Sequence, residues 1–271
     1  GYYQNYGRNE LDINVYNASL KGSYASGKHF IQFGNSIEQT DISDRLKEWE
    51  YQDSAGYSLP HNPAQLSLFK YLNSTADLNI QKFSGYIQDN IRLGGTKKDI
   101  TLQAGVRYNY NSLNKEFLIS PRMQLSWKPV WKKDVVLKLA AGAYHQPPFY
   151  RELRRYDGTL NTDVKAQKSY QFVAGMDYNF KGLEGRPFRL TTEAYYKSMS
   201  SVDVYDIDNV KIRYAGNNNA KAYATGFEAR LFGELVKDAE SWLSIGIMQT
   251  KENLDNDFYY QYKNAAGEII T

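Results

Sequence analysis

The chain has 271 residues, no cysteine, and a formal charge of +3 from 33 basic and 30 acidic side chains. Disulfides and thiolate chemistry are excluded, and no charge bias favours nucleic acid as a partner. Aromatics make up 15% of the residues while the mean hydropathy is −0.63, an uncommon pairing for a soluble core. No run approaches the roughly 18 to 20 apolar residues of a membrane-crossing helix, and the opening GYYQNYGRNE lacks the basic and apolar regions of a signal peptide.

Taken in chain order, the dominant signal is a period of two, which sends successive side chains to opposite faces of a strand. Weak alternation at Leu11, Ile13 and Val15 predicts a strand over 11–25, and Ile31, Phe33 and Ile37 a second over 28–40. The stretch ISDRLKEWEY, 42–51, reads as a helix that Ser43 could cap, inside a long connection over 41–77. A strand over 78–94 precedes the clearest case, ITLQAGVRYNY within 99–112. There Ile100, Leu102, Ala104, Val106, Tyr108 and Tyr110 oppose Thr101, Gln103, Gly105, Arg107 and Asn109. Further strands are expected at 117–129, 134–146, 165–180, 187–200, 220–235 and 240–252, ten in all. Connections alternate between tight turns, such as GGTKK and KGLEG, and long segments at 41–77, 147–164, 201–219 and from 253 onward.

Strands of this length, set at a tilt, would cross a bilayer. Only a closed barrel does so without orphaned backbone groups. One apolar face would meet lipid, while Arg107, Asp177, Arg189, Glu193 and Lys197 would point to an aqueous interior. The Tyr and Trp residues near strand ends, among them Tyr108, Trp127, Tyr178 and Trp242, suit the two membrane interfaces. The fold expected is all-β: an antiparallel transmembrane β-barrel, with short turns in the periplasm and long connections outside. A soluble sandwich or propeller, as an adhesin or carbohydrate-binding domain, is the alternative.

Enzyme signatures are wanting. His29, His61 and His145 accompany no nucleophile motif, and G-x-S-x-G, the P-loop and H-E-x-x-H do not occur. No cofactor is called for. In HQPPFYRELRRYDG, Pro147 and Pro148 end strand pairing, and Tyr150, Arg151, Arg154, Arg155 and Tyr156 follow. Arginine and aromatic side chains suit sugars, carboxylates or metal chelates. Trp49, Tyr51, Tyr57 and His61 are comparable ligand candidates in the 41–77 connection, and Asp255 with Tyr259, Tyr260 and Tyr262 mixes carboxylates and rings further on. Asp203, Asp206 and Asp208, with Asn209, offer the hard oxygens Ca²⁺ takes, without EF-hand spacing; an acidic solvated loop is the plainer reading.

The run FSGYIQDNIRL, the turn GGTKKD, ITLQAGVRYNYN, ISPRMQLSWKP, AAGAYHQPPFYRELR and NNNAKAYATGFEARL, spanning about 80–250, resembles the barrel of TonB-dependent outer-membrane receptors, particularly Bacteroidetes-type ones. The resemblance implies a bacterial outer-membrane receptor that binds a scarce nutrient outside and imports it. Siderophore, haem, cobalamin and oligosaccharide are all open as the ligand. It also implies a plug domain coupled to the TonB complex, surrounding lipid, and a surface lipoprotein as a further partner. Family barrels have about 22 strands. Residues 1–271 are therefore expected to be an internal portion, without plug or terminal strands. A passive pore or a small free-standing barrel is the rival reading.

Overall fold

Alternation alone fixes which face a residue takes, and a one-residue slip would turn every apolar group the wrong way, so strand register carries the architecture. The computed structural model describes residues 3–52, 67–95, 99–208, 211–257 and 262. It contains strands β1 (Tyr3–Gly7), β2 (Glu10–Ser26), β3 (His29–Gln52), β4 (Ser67–Arg92), β5 (Asp99–Asn111), β6 (Glu116–Lys128) and β7 (Asp134–Gln146). They continue with β8 (Gln167–Gly182), β9 (Arg186–Val202), β10 (Tyr205–Asp208), β11 (Lys211–Tyr214), β12 (Ala220–Val236) and β13 (Ala239–Leu254).

Ten long strands, β2 to β9 with β12 and β13, form one antiparallel meander, each paired to its neighbours in sequence order once the small β10–β11 hairpin is set aside. β1 extends the line of β2, since both pair with β3 on either side of a break at Arg8 and Asn9. The sheet is an open arc, with β1–β2 and β13 as its edges among the described residues.

The register sorts chemistry by face. One row across the wall reads Ile91, Leu102, Leu125, Leu139, Ala174, Ala194, Phe227 and Ile247. A neighbouring row on the other face reads Ser23, Gln32, Gln88, Gly105, Arg122, Gly142, Gln171 and Lys197. The first row faces hydrocarbon and the second the barrel interior, as a water-lined membrane barrel requires. Apolar side chains are accordingly exposed where lipid would cover them, with Leu139 at 56% and Ile247 at 74%.

Aromatic rings bound this apolar band. Trp127 packs against Trp131 at 6.1 Å, and Phe180 stacks between Tyr178 and Phe188 near the tight turns. At the opposite end Tyr108 stacks on Phe117. Phe117 and Trp127 lie on one face of β6, about 33 Å apart along the strand at roughly 3.3 Å per residue. At a tilt of about 40° that separation spans about 25 Å of membrane.

On the inward face Asp177 is buried and accepts hydrogen bonds from Lys138, from Arg189 at 3.1 Å and from Thr191 at 3.0 Å. The tight turns use left-handed backbone at Gly27, at Asp238 and through Leu183–Gly185.

The helix expected over 42–51 is absent, because this stretch is strand, continuous with the rest of β3. Thr40, Ile42, Asp44, Leu46 and Glu48 are buried while Arg45 and Lys47 are exposed. The period of two overrides the helix propensity of Arg, Leu, Lys and Glu, because β4 takes one edge of β3 there while β2, up to Arg45, and β1, from Glu48, take the other. The 41–77 connection is correspondingly shorter, with β3 running to Gln52 and β4 starting at Ser67. Leu11, Ile13 and Val15 share the face of Asp44, Ile42 and Thr40, so they point inward.

Candidate functional site

β3 and β4 outlast their neighbour: β5 pairs with β4 only from Lys82 to Arg92, so the hairpin above Gln39 and Gln81 stands clear of the membrane wall. Two other connections close over its inward face. The 147–166 segment leaves the wall between β7 and β8 and crosses the mouth to reach β3 and β4. Tyr150, 5% exposed, packs with Ile42 and Ile80, flanked by Leu78 and Leu113. Burying such a ring is worth about 1.5–3 kcal/mol.

Arg154 Nη1 donates to Asp44 at 3.0 Å, and Arg154 Nε donates to Ser74 Oγ at 2.9 Å. Ser74 Oγ in turn donates to the Gly158 carbonyl at 2.6 Å. Gly158 sits at φ +85, in the left-handed region that only glycine adopts without strain.

The β10–β11 hairpin makes the second cover. Its cross-strand pairs Tyr205–Tyr214 and Ile207–Ile212 hold it together, and Arg213 and Lys211 clasp Glu48 of β3, the lysine at 2.9 Å. Asn9 adds a third donor to Glu48 at 3.1 Å. Burial opposes ionisation of Glu48, but these donors hold its carboxyl below the usual range. Asn218 joins the two covers by donating to the carbonyls of Lys165 and Ser201, while Asn161 reaches the Gly216 carbonyl.

The two connections that form the covers carry two buried carboxylates of their own, Glu152 and Asp203. Glu152 accepts from the Phe149 amide at 2.8 Å, and Asp203 from the Asn217 amide at 3.2 Å. Burial pushes both upward, and the Asp203 charge raises Glu152 further. Burial, with Asp206 and Asp203 nearby, also pushes the Tyr156 phenol up.

Between covers and wall lies a cleft of about 420 Å³. Its floor is the inward face of β2 and β3, and Arg151, Arg155, Lys211 and Tyr214 contribute to its sides.

The sequence candidates separate in space. Arg151, Arg154 and Arg155 meet at the cleft, whereas Tyr150 is packed beneath the segment that carries them. Tyr156 is exposed on the following turn. Trp49 stacks on Tyr6 at 5.8 Å and Tyr51 meets the same ring edge-on at 5.9 Å; Trp49 lies on the face of β3 opposite Glu48. His61, Tyr57, Asn209, Tyr259 and Tyr260 lie outside the described residues.

Asp203, Asp206 and Asp208 do not converge. Asp203 caps backbone amides, Asp206 stands across from Arg213, and Asp208 pairs with Lys70 at 3.4 Å. Among the described residues no group of three His, Asp or Glu side chains is placed to hold a metal ion.

Lys211, Arg213, Asp44 and Glu48 belong to the site and were not singled out in the sequence. The β10–β11 hairpin did leave a signal there, alternating Tyr205, Ile207, Ile212 and Tyr214 around a turn.

The meander, its polar interior and its capped mouth agree with a family model described as TonB dependent receptor-like, beta-barrel, which matches residues 1–268. The chain belongs to the TonB-dependent receptor β-barrel family. Its place is the bacterial outer membrane.

Solved structures of the same fold include the copper transporter OprC (TM-score 0.64, 13% identity, 90% of this chain and 38% of that one). The RagAB peptide transporter gives a TM-score of 0.56 at 13% identity, covering 97% of this chain and 32% of the other. The siderophore receptor PirA from Pseudomonas aeruginosa gives 0.52 at 15% identity, covering 89% and 48%. The chain thus spans between about a third and a half of the structures it resembles. Comparison with curated protein sequences gives no significant match.

Proposed function

We propose that this barrel wall belongs to a receptor that captures a scarce nutrient at the cell surface and imports it, rather than to an enzyme or a passive pore. The observation carrying this reading is the cap: two connections fold inward across the mouth and leave a cleft on the interior face. A receptor needs an ordered surface at its entrance, and both covers are fixed to the wall by ion pairs, Arg154 to Asp44 and Lys211 to Glu48.

In such a receptor the inward polar row and the Asp177 cluster would hold a plug, and the TonB complex would move it. A surface lipoprotein, the further partner that the family resemblance implies, would meet the same outer rim. Binding rather than catalysis is also favoured at the one Ser–His contact among the described residues. Ser120 meets His145 at 2.9 Å, but Ser120 is 6% exposed, so its hydroxyl is closed to a substrate.

The test is uptake by cells producing the full-length protein, assayed with and without a working TonB complex, alongside single-channel conductance of the purified protein in planar bilayers. TonB-dependent accumulation with low basal conductance supports the receptor. Steady conductance that needs no TonB complex establishes the pore instead.

A further inference from the structure

Within the cleft, charge is unbalanced. Five cationic side chains line it against two carboxylates, Asp44 and Glu48. Both carboxylates are already engaged: Arg154 holds Asp44, and Arg213 with Lys211 holds Glu48. Among the described residues no ion pair engages Arg151 or Arg155, and both are exposed at the cleft. Among the described residues Arg151 Nε donates to the Tyr150 hydroxyl, at 3.1 Å. Arg154 fixes Asp44 and Ser74 through Nη1 and Nε, which leaves its Nη2 buried without an acceptor.

We propose that the cleft is a subsite for an anionic group, a carboxylate or phosphate on a small ligand, held by the exposed Arg151 and Arg155 beside the fixed guanidinium of Arg154. This rests on the receptor reading above and deepens it by giving the ligand's charge. The guanidinium fork matches planar carboxylate and phosphate oxygens in paired hydrogen bonds, which a neutral sugar cannot reciprocate with charge. The cleft volume falls within the range that holds small ligands. Its placement on the interior face, behind Asp44 and Glu48, sets it apart from the outer aromatic strip of Tyr6 and Trp49. The turns that present the arginines are themselves tied down: the Arg155 amide donates to the Thr159 carbonyl, and the Gly158 amide to that of Arg155. The charges are therefore preorganised rather than carried on a free loop.

The experiment is calorimetric titration of the purified full-length receptor in detergent with citrate, with inorganic phosphate and with maltotriose as the neutral control. Citrate or phosphate is expected to bind, maltotriose to bind at least tenfold more weakly, and affinity for the anion to fall with added salt. The double variant R151A/R155A should lose tenfold or more, and R151K/R155K should recover part of it. Heat-modifiable migration on gels confirms that each variant keeps its barrel. Tighter binding to citrate identifies a carboxylate site, and tighter binding to phosphate a phosphate site. Failure of both anions to bind, or equal affinity in the alanine variant and the parent, overturns the proposal. TonB-dependent uptake of a neutral nutrient that survives R151A/R155A would overturn the anion subsite and leave the receptor reading standing. Absence of any TonB-dependent uptake would sink the receptor reading separately.

Discussion

Arg154 and Asp44, 110 positions apart in sequence, meet at 3.0 Å across the mouth of the barrel, their side chains only 12% and 9% exposed. Loss of one partner strands a buried charge, which typically costs about 3–5 kcal/mol. Arg154→Ala should therefore free the 147–166 segment while the membrane wall persists. Limited proteolysis checks this: cleavage confined to 147–166, with unchanged heat-modifiability, is expected in R154A. Cleavage at the parent's rate would show that the pair does not hold the cap. D44N/R154M, which removes both charges, should be closer to the parent than either single change.

Gly158 is the second anchor of that segment. At φ +85 it is left-handed, and an added Cβ would stand 2.6 Å from Leu72 Cδ1 and 3.3 Å from Ser74 Cβ. Gly158→Ala combines backbone strain of about 1–2 kcal/mol with a clash against β4. It should raise proteolysis at 147–166 as R154A does. Parent-like resistance in G158A would mean that the turn relaxes at little cost.

Acidity should act with opposite sign on the Glu48 clasp and on the two buried carboxylates of the cap. Glu48 titrates below its usual 4.5, so its clasp on β11 is complete above that value and is lost as pH falls through the lowered one. Glu152 and Asp203 titrate above their usual 4.5 and 3.8, so each binds a proton more readily in the folded cap than in an unfolded chain. Their burial is least costly at low pH and grows costlier as pH rises from the usual values through the raised ones. Hydrogen exchange compared at matched pH should show Glu152→Gln protecting 149–167 relative to the parent at neutral pH, with the difference vanishing near pH 4. A difference that is constant with pH would remove Glu152 from this account.

The wall was legible in the sequence because lipid and water sort a strand's two faces residue by residue. ITLQAGVRYNY shows this directly: Leu102 falls in the lipid row and Gly105 in the interior one. Above the membrane that sorting ends, and legibility goes with it. ISDRLKEWEY reads as helix because Arg45, Lys47 and Glu50 are solvent-tolerant, and the burial of Asp44 and Glu48 comes from cationic partners far along the chain. Arg213 is 165 positions from Glu48, a distance that no local pattern encodes. Arginines 151, 154 and 155 were recognisable as candidates by type and place. Which of them is structural and which is free depends on where Asp44 lies, and that is set by tertiary register.

The same sorting makes the sharpest test of topology. Leu102 and Ala174 lie in one apolar row across β5 to β8, joined through Leu125 and Leu139, while Gln103 occupies the interior face of β5. Lysine near the bilayer midplane on the lipid face costs about 2–4 kcal/mol, whereas an interior position stays in contact with water. L102K and A174K should accordingly lower folding efficiency into lipid vesicles and shift urea unfolding to lower concentration, with Q103K close to the parent. Equal losses at Leu102 and Gln103 would mean that β5 is not sorted between lipid and lumen. The interior position of the arginine cleft, which is reached by the same register through β3 and β4, would then fall with it.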